Sequence, residues 1–269
     1  CWAGPVILKD GTDEEKERYL KRILTAEDIW CQGFSEPDHG SDLGNAQTTA
    51  VRDGDEYIIN GSKIWTTFGN YAKYMILVAR TNQNTARKYD GLSYFLSPMD
   101  VPGIKAVPIK KITAEYGFTE TFFDNARIPA SCLMGEEGQG WAIAMQTLMF
   151  ERSAEGGQAT QYTMTRVTMD DLMVSARTIM RDGEPLLKDP IVRDNLVKFI
   201  MEEKALRLTG TRAGIPALCT DYPFAIPLSN KIRATEFARR MRQYVISLQG
   251  AKGGLYVGDA DAVDGGFWQ

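Results

Sequence analysis

At Met134-Gly135 the chain changes period. Before that point, from about Ile29 to Pro129, short runs of β-branched and aromatic residues are punctuated by Asp53-Gly54, Asn60-Gly61, Asp90-Gly91 and Pro102-Gly103, a pattern of strands and turns. After it, Trp141, Ala144, Met145, Leu148 and Met149 recur at three- and four-residue spacing, and further helices are predicted near 189–212 and 229–250. Strands followed by helices form segregated layers, so we expect an α+β multidomain fold. The strands suffice for a barrel or a sandwich, and the parts are taken as a β-barrel-like middle domain, an antiparallel helical bundle that is truncated, and a remnant of an N-terminal helical domain. The borders are placed at 1–25, 26–137 and 138–269.

Within the first region, residues 12–24 predict a helix with Thr12 as N-cap, acids in its first turn and bases near its end. Strands are expected at 46–52, 56–59, 63–67, 74–79, 92–97, 104–109 and 120–124, with Asn60-Gly61 as a two-residue hairpin turn. In the second region, Asp182-Gly183-Glu184-Pro185, Ile215-Pro216 and Tyr222-Pro223 mark breaks between helices. A chain that opens on Cys1 and stops at Gly265 to Gln269 reads as a piece of a longer protein.

Composition excludes several functions. The 31 basic and 35 acidic residues give a net charge of -4, which offers no electrostatic footprint for nucleic acid or an anionic membrane. No run approaches the roughly 18 apolar residues of a membrane-spanning helix. Cys1, Cys31, Cys132 and Cys219 lack CxxC spacing, and His39 is the one histidine, so neither a disulfide framework nor a metal site is expected. Reduced thiols suit a cytoplasmic location.

Two segments bear on chemistry. Gln32 to Asp42 (QGFSEPDHGSD) enters as a strand and turns tightly, presenting backbone amides and two hydroxyls; by itself it also reads as an ordinary Gly/Pro/Asp turn. In Lys63 to Thr67 (KIWTT), the Trp65 indole can stack on a flat heterocycle or fill a core. Farther on, Glu151-Arg152 ends a helix in which Glu151 shares a face with Ala144, Thr147 and Leu148. A carboxylate on such an apolar stripe gains basicity through desolvation, although an exposed glutamate paired with Arg152 fits the spacing too.

Taken together, SEPDHGSD and WTT resemble the TEPxxGSD and WIT motifs of the acyl-CoA dehydrogenases. The resemblance continues in order through GLSYFLSP (91–98), VPGI (101–104), TFFDNARIP (121–129) and GEEGQGW (135–141), spanning most of residues 12–154. It implies an FAD enzyme that oxidises the Cα–Cβ bond of an acyl-CoA to a trans-2-enoyl-CoA, with the flavin where barrel and bundle meet. Phe34 and Ser35 would face the flavin ring, Ser41 the flavin or the CoA portion, and Trp65 would stack beside the isoalloxazine. Thr67 would hydrogen-bond the flavin near N5, and Thr66 would add backbone contacts. His39 has no counterpart in the motif and reads as a solvated loop residue.

The segment LMFER (148–152) resembles the helix that carries the catalytic glutamate in isovaleryl- and long-chain members, making Glu151 the base and Arg152 a residue lining the substrate site. Other members place the glutamate in a later EGTSEIQ-like motif, which this sequence lacks. Residues 177–183 (ARG-led RTIMRDG) depart from the family's RxxFGxP stretch for the flavin pyrophosphate, and SLQGA (247–251) resembles its QILGG contact only faintly. The family habit also implies a homodimer or homotetramer and electron-transfer flavoprotein as acceptor. An acyl-CoA oxidase or flavin monooxygenase, or a non-catalytic subunit of the same fold, are the alternatives.

Overall fold

Thr12 begins the second of two short helices, α1 (Ala3–Asp10) and α2 (Asp13–Leu24). Its Oγ1 accepts from Glu15 N at 3.2 Å while the Glu15 carboxylate accepts from Thr12 N at 2.7 Å, a reciprocal cap at the predicted position. The sequence reading did not predict α1; it is held by burial of Ala3, Val6 and Ile7. These helices belong to a computed structural model that describes residues 2–112, 114–152, 168–219, 225–256 and 258–263, with the Arg152 and Pro227 side chains outside that set. Cys1, the break at Tyr222-Pro223 and the stop at 265–269 lie outside the described residues.

Eight strands follow: β1 (Trp30–Gly33), β2 (Thr49–Asp53), β3 (Glu56–Thr67), β4 (Tyr74–Arg80), β5 (Leu92–Pro98), β6 (Ile104–Lys110), β7 (Tyr116–Pro129) and β8 (Leu133–Met134). They form one sheet in the order β6-β7-β3-β2-β4-β5-β8. β1 lies parallel to β4, pairing Trp30 with Tyr74 through Gly33 with Leu77. The α+β class holds, with one refinement: the sheet is open, ending at β6 and β8, and folds over itself instead of closing into a barrel.

Alternation along the strands gives the sheet two different faces. Phe34, Ile76, Val78, Leu92, Tyr94 and Leu96 pack against α1, α2 and α3 (Gly140–Arg152). Cys31, Met75, Leu77 and Phe95 pack instead on Tyr57, Ile59, Ala126 and Ile128 of β3 and β7. Helices, inner strands and outer strands therefore make three layers with two apolar seams.

One expectation is overturned. Asn60-Gly61 is no hairpin turn, because β3 runs unbroken from Glu56 to Thr67. The turn is at Gly54-Asp55, and β2 pairs antiparallel with β3 from Asp53–Glu56 to Thr49–Asn60. Asn60-Gly61 instead makes an irregularity against β7, where Asn60 Oδ1 accepts from Asn125 N at 2.8 Å. Gly61 has φ +139, and a Cβ there would stand 2.7 Å from Thr48 Oγ1 and 2.8 Å from its Cα. Close approach of a neighbouring strand, not a reversal of the chain, demands this glycine.

The chain forms two compact units, Cys1–Glu151 and Arg152–Gln269. In the second, α4 (Met169–Thr178), α5 (Pro190–Ala213) and α6 (Ala225–Leu248) bury Leu172, Ala176, Leu196, Phe237, Met241 and Val245 against one another. Between α4 and α5, at the predicted 182–185 break, stands a short hairpin of β9 (Met180–Arg181) and β10 (Glu184–Pro185). Thr168 and Asp189 cap α4 and α5. No described helix is long and apolar enough to cross a membrane.

Candidate functional site

Past β1 the chain runs through Phe34 and Ser35 into a tight loop closed by reciprocal bonds between Glu36 and His39, each N–H donating to the other's carbonyl at 3.1 Å. The Glu36 carboxylate is turned inward, where it accepts from Gln47 N at 2.6 Å, Thr48 N at 2.9 Å and Lys63 Nζ at 2.8 Å. Lys63 is wholly buried and donates also to Phe34 O at 3.1 Å. Burial drives the Lys63 amine down to about 8, against the opposing pull of Glu36. Burial works to raise Glu36, but the Lys63 charge and the hydrogen bonds from Gln47, Lys63 and Thr48 outweigh it and leave the carboxyl below its ordinary value. This ion pair joins the SEPDHGSD loop to the strand carrying WTT.

A second tie is Ile64 N donating to Ser35 O at 2.8 Å. It is available because β3 slips against β7 between Lys63 and Thr66, a bulge that frees Ile64 and Trp65 from the ladder. Trp65 takes φ +60, a left-handed conformation that is a genuine outlier for a bulky residue, and the residue is 59% exposed. The ring stands edge-on to Phe118 at 6.1 Å. Phe68, at φ +57, is exposed beside it.

The bulge and β1 bound a cleft of about 340 Å³. Trp30, Gln32, Phe34 and Ser35 line one side; Ile64, Trp65, Thr67 and Phe68 line another; Trp2 and Ala3 of α1 and Glu151 of α3 complete it. Glu151 reaches the cleft because α3 is seated tightly on β5. A Cβ on Gly140 would stand 2.4 Å from Ser93 C, Gly138 N donates to Ser93 Oγ at 3.0 Å, and Thr147 Oγ1 meets Tyr94 OH at 3.0 Å. Glu151 itself is partly buried, one turn beyond fully buried Thr147.

Five of the residues singled out from sequence thus share one cleft: Phe34, Ser35, Trp65, Thr67 and Glu151. Two do not line it. Thr66 is fully buried; its carbonyl accepts from Thr119 Oγ1 at 3.2 Å, and its own hydroxyl has no partner among the described residues. Ser41 is exposed on the loop after His39. Arg152 ends α3, with its side chain outside the described residues.

The lining suits a flat, partly polar heterocycle. Trp65, Phe68 and Phe34 offer aromatic surface, Ser35 and Thr67 offer hydroxyls, and Trp30 Nε1 and Gln32 Oε1 are buried without hydrogen-bond partners among the described residues. Among those residues no group of three or more His, Cys, Asp or Glu could hold a metal ion.

Two family profiles match the chain in order. Residues 31–126 match the family profile described as acyl-CoA dehydrogenase, middle domain, and residues 138–261 match acyl-CoA dehydrogenase, C-terminal domain. The chain belongs to the acyl-CoA dehydrogenase family. Acyl-CoA dehydrogenase IpdE1 of Mycolicibacterium smegmatis is 39% identical over 215 residues, covering 76% of this chain and 53% of that protein. The solved Tcur3481-Tcur3483 steroid ACAD is 31% identical with a TM-score of 0.83, covering 99% of this chain and 67% of that one. The ChsE4-ChsE5 complex from Mycobacterium tuberculosis gives 27% identity and a TM-score of 0.83, with 99% of this chain and 68% of that chain covered. The chain spans about half the length of the curated relatives it matches.

In this acyl-CoA dehydrogenase chain, sequence reasoning missed Trp2, Trp30 and Phe68 as lining residues, and the Glu36–Lys63 pair as the pin between motifs. A signal for the pair was present: Tyr57, Ile59, Gly61 and Lys63 fall on one strand face, so a lysine in that series had to be buried with a partner. Nothing in the sequence announced Trp2, which comes to the cleft only through packing of α1.

Proposed function

We propose that this chain carries the catalytic cleft of an FAD-dependent acyl-CoA dehydrogenase that converts an acyl-CoA thioester to its trans-2-enoyl-CoA. The supporting observation is the convergence of Glu151 with Ser35, Trp65 and Thr67 on a single cleft. FAD, when bound, supplies the hydride acceptor. Glu151 takes the proton from the carbon next to the thioester carbonyl, the general-base half of the reaction. Trp65, fixed in its left-handed bulge, walls the flat ring, and the Thr67 and Ser35 hydroxyls orient its polar edge. Phe34 and Phe68 would add apolar surface beside the ring. Ser41 is assigned to the flavin or the CoA portion, and Arg152 to the substrate side, both from family likeness.

The same reading assigns the domain borders near 25 and 137. It places the enzyme in cytoplasmic fatty acid or lipid β-oxidation, with electron-transfer flavoprotein taking the two electrons, since reduced flavin must be reoxidised before the next turnover. Free thiols at Cys31, Cys132 and Cys219 agree with a reducing compartment. Assembly as a homodimer or homotetramer is assigned from family likeness; the similar ChsE4-ChsE5 complex pairs two differently named chains.

The test is an anaerobic visible spectrum of the full-length, FAD-loaded protein titrated with a panel of acyl-CoAs. Bleaching is expected with at least one, and Glu151→Gln should slow it by about 10²–10⁴-fold. No bleaching across the panel overturns the activity; undiminished bleaching in the variant removes Glu151 as the base.

A further inference from the structure

Thr66 and Thr67 sit between two left-handed residues, Trp65 at φ +60 and Phe68 at φ +57. Neither of these is glycine, so both conformations carry strain and persist only where the surroundings over-determine them. Ile64 N donating to Ser35 O restrains the bulge from one side. Three consecutive residues of β7 restrain it from the other. Gly117 O accepts from Phe68 N at 3.2 Å, the Phe118 ring meets the Trp65 indole edge-on, and Thr119 Oγ1 donates to Thr66 O at 3.2 Å.

Thr119 is fully buried, and Thr121 Oγ1 lies 3.4 Å from its hydroxyl. A buried hydroxyl needs an acceptor for its proton, and this one finds the carbonyl of the residue between Trp65 and Thr67. Gly69 closes over the same bond. Its N–H donates to Thr66 O at 3.4 Å, and a Cβ on it would stand 2.2 Å from Thr119 Oγ1 and 3.0 Å from Thr66 Cγ2. Only a residue without a side chain lets the chain fold back this closely. Thr119 does not line the cleft, but Thr66 is buried while its neighbours Trp65 and Thr67 line it, so whatever fixes Thr66 fixes both.

We propose that Thr119 is a positioning residue for the flavin wall: through Thr66 its hydroxyl sets the Trp65 indole and the Thr67 hydroxyl, and Gly69 keeps that hydrogen bond closed. This inference rests on reading the cleft as the flavin site.

The experiment compares the full-length protein with its Thr119→Val, Thr119→Ser and Gly69→Ala variants by FAD titration, near-ultraviolet circular dichroism and urea denaturation. The Trp65 share of the dichroism is the difference made by adding Trp65→Phe to each. Thr119→Val keeps the shape and loses the donor, so it should bind FAD about five- to tenfold more weakly and lose the Trp65 signal. Thr119→Ser keeps the donor and should retain both the signal and an affinity within about twofold of wild type. Gly69→Ala reaches the same bond from the other side and should reproduce the valine variant. A merely structural role would lower the urea midpoint of the serine and valine variants alike and leave the Trp65 signal in place. Wild-type affinity and signal in Thr119→Val, or equal losses in the serine and valine variants, overturn the proposal; should Gly69→Ala not fold, that pair decides alone. If the wild-type protein binds FAD and acyl-CoAs bleach it while Thr119→Val is unchanged, the activity stands and this inference alone fails. If the wild-type protein binds no FAD, the functional reading fails and takes this inference with it.

Discussion

Lys63 and Glu36 show how one buried pair can set a site without touching its chemistry. Two charges removed from water are tolerated here because each is bonded beyond its partner, Glu36 to two backbone amides and Lys63 to the Phe34 carbonyl. Removing one partner strands the other. Lys63→Met should therefore destabilise the fold by about 3–5 kcal/mol in urea titrations, and Glu36→Gln combined with Lys63→Met should recover much of that loss. Because the pair holds Ser35 beside Ile64, the single variant should also bind FAD more weakly than the double one. A double variant no more stable than the single would show that the pair is not coupled.

At the scale of elements, irregularity in β3 shapes the cleft. The strand breaks register with β7 twice, once where Gly61 lets Thr48 approach and once where Ile64 and Trp65 leave the ladder. Gly61→Ala should cost about 1–3 kcal/mol, from positive φ and the clash with Thr48 together, read as a lowered denaturation midpoint. The two breaks also explain what could be read from the sequence. Strands that read as short, almost unbroken apolar runs, such as Tyr74–Arg80 and Leu92–Pro98, and helix α2 with its capping residues were legible, since local rules decide them. Asn60-Gly61 satisfied the local rule for a hairpin, and a tertiary contact overrode it. β1, only four residues long and paired with β4, showed in the sequence just as a strand-like entry at Gln32, while α1 exists by burial of Val6 and Ile7 and has no local signature to find. The cleft was legible where motifs carried it, at Phe34, Ser35, Trp65, Thr67 and Glu151, and illegible where packing alone supplied a wall.

For the molecule as a whole, the buried carboxylates govern the response to acid. Arg22 donates to Asp28 at 2.6 and 3.0 Å, and Lys73 Nζ lies 3.2 Å from it, tying the end of α2 to the start of β4. The Arg22 hydrogen bonds, opposed by burial and joined by Lys73, hold Asp28 below the usual carboxylate range, and Glu36 is lowered as well. The unfolded chain thus binds protons more readily than the folded one. The stabilisation is fully present above the unfolded carboxylate values and is lost as pH falls through the depressed folded ones, so urea midpoints should drop steeply below about pH 4. Asp28→Asn should flatten that decline; an unchanged slope would remove Asp28 from the account. The tryptophans differ in a way that makes the protein its own reporter. Trp30 is stacked on Tyr74 and Trp141 packs tilted against Tyr89, whereas Trp65 is held out into solvent by its bulge. Its fluorescence should form a red-edge component that Trp65→Phe diminishes, so a cuvette of unlabelled protein can report on the cleft by colour.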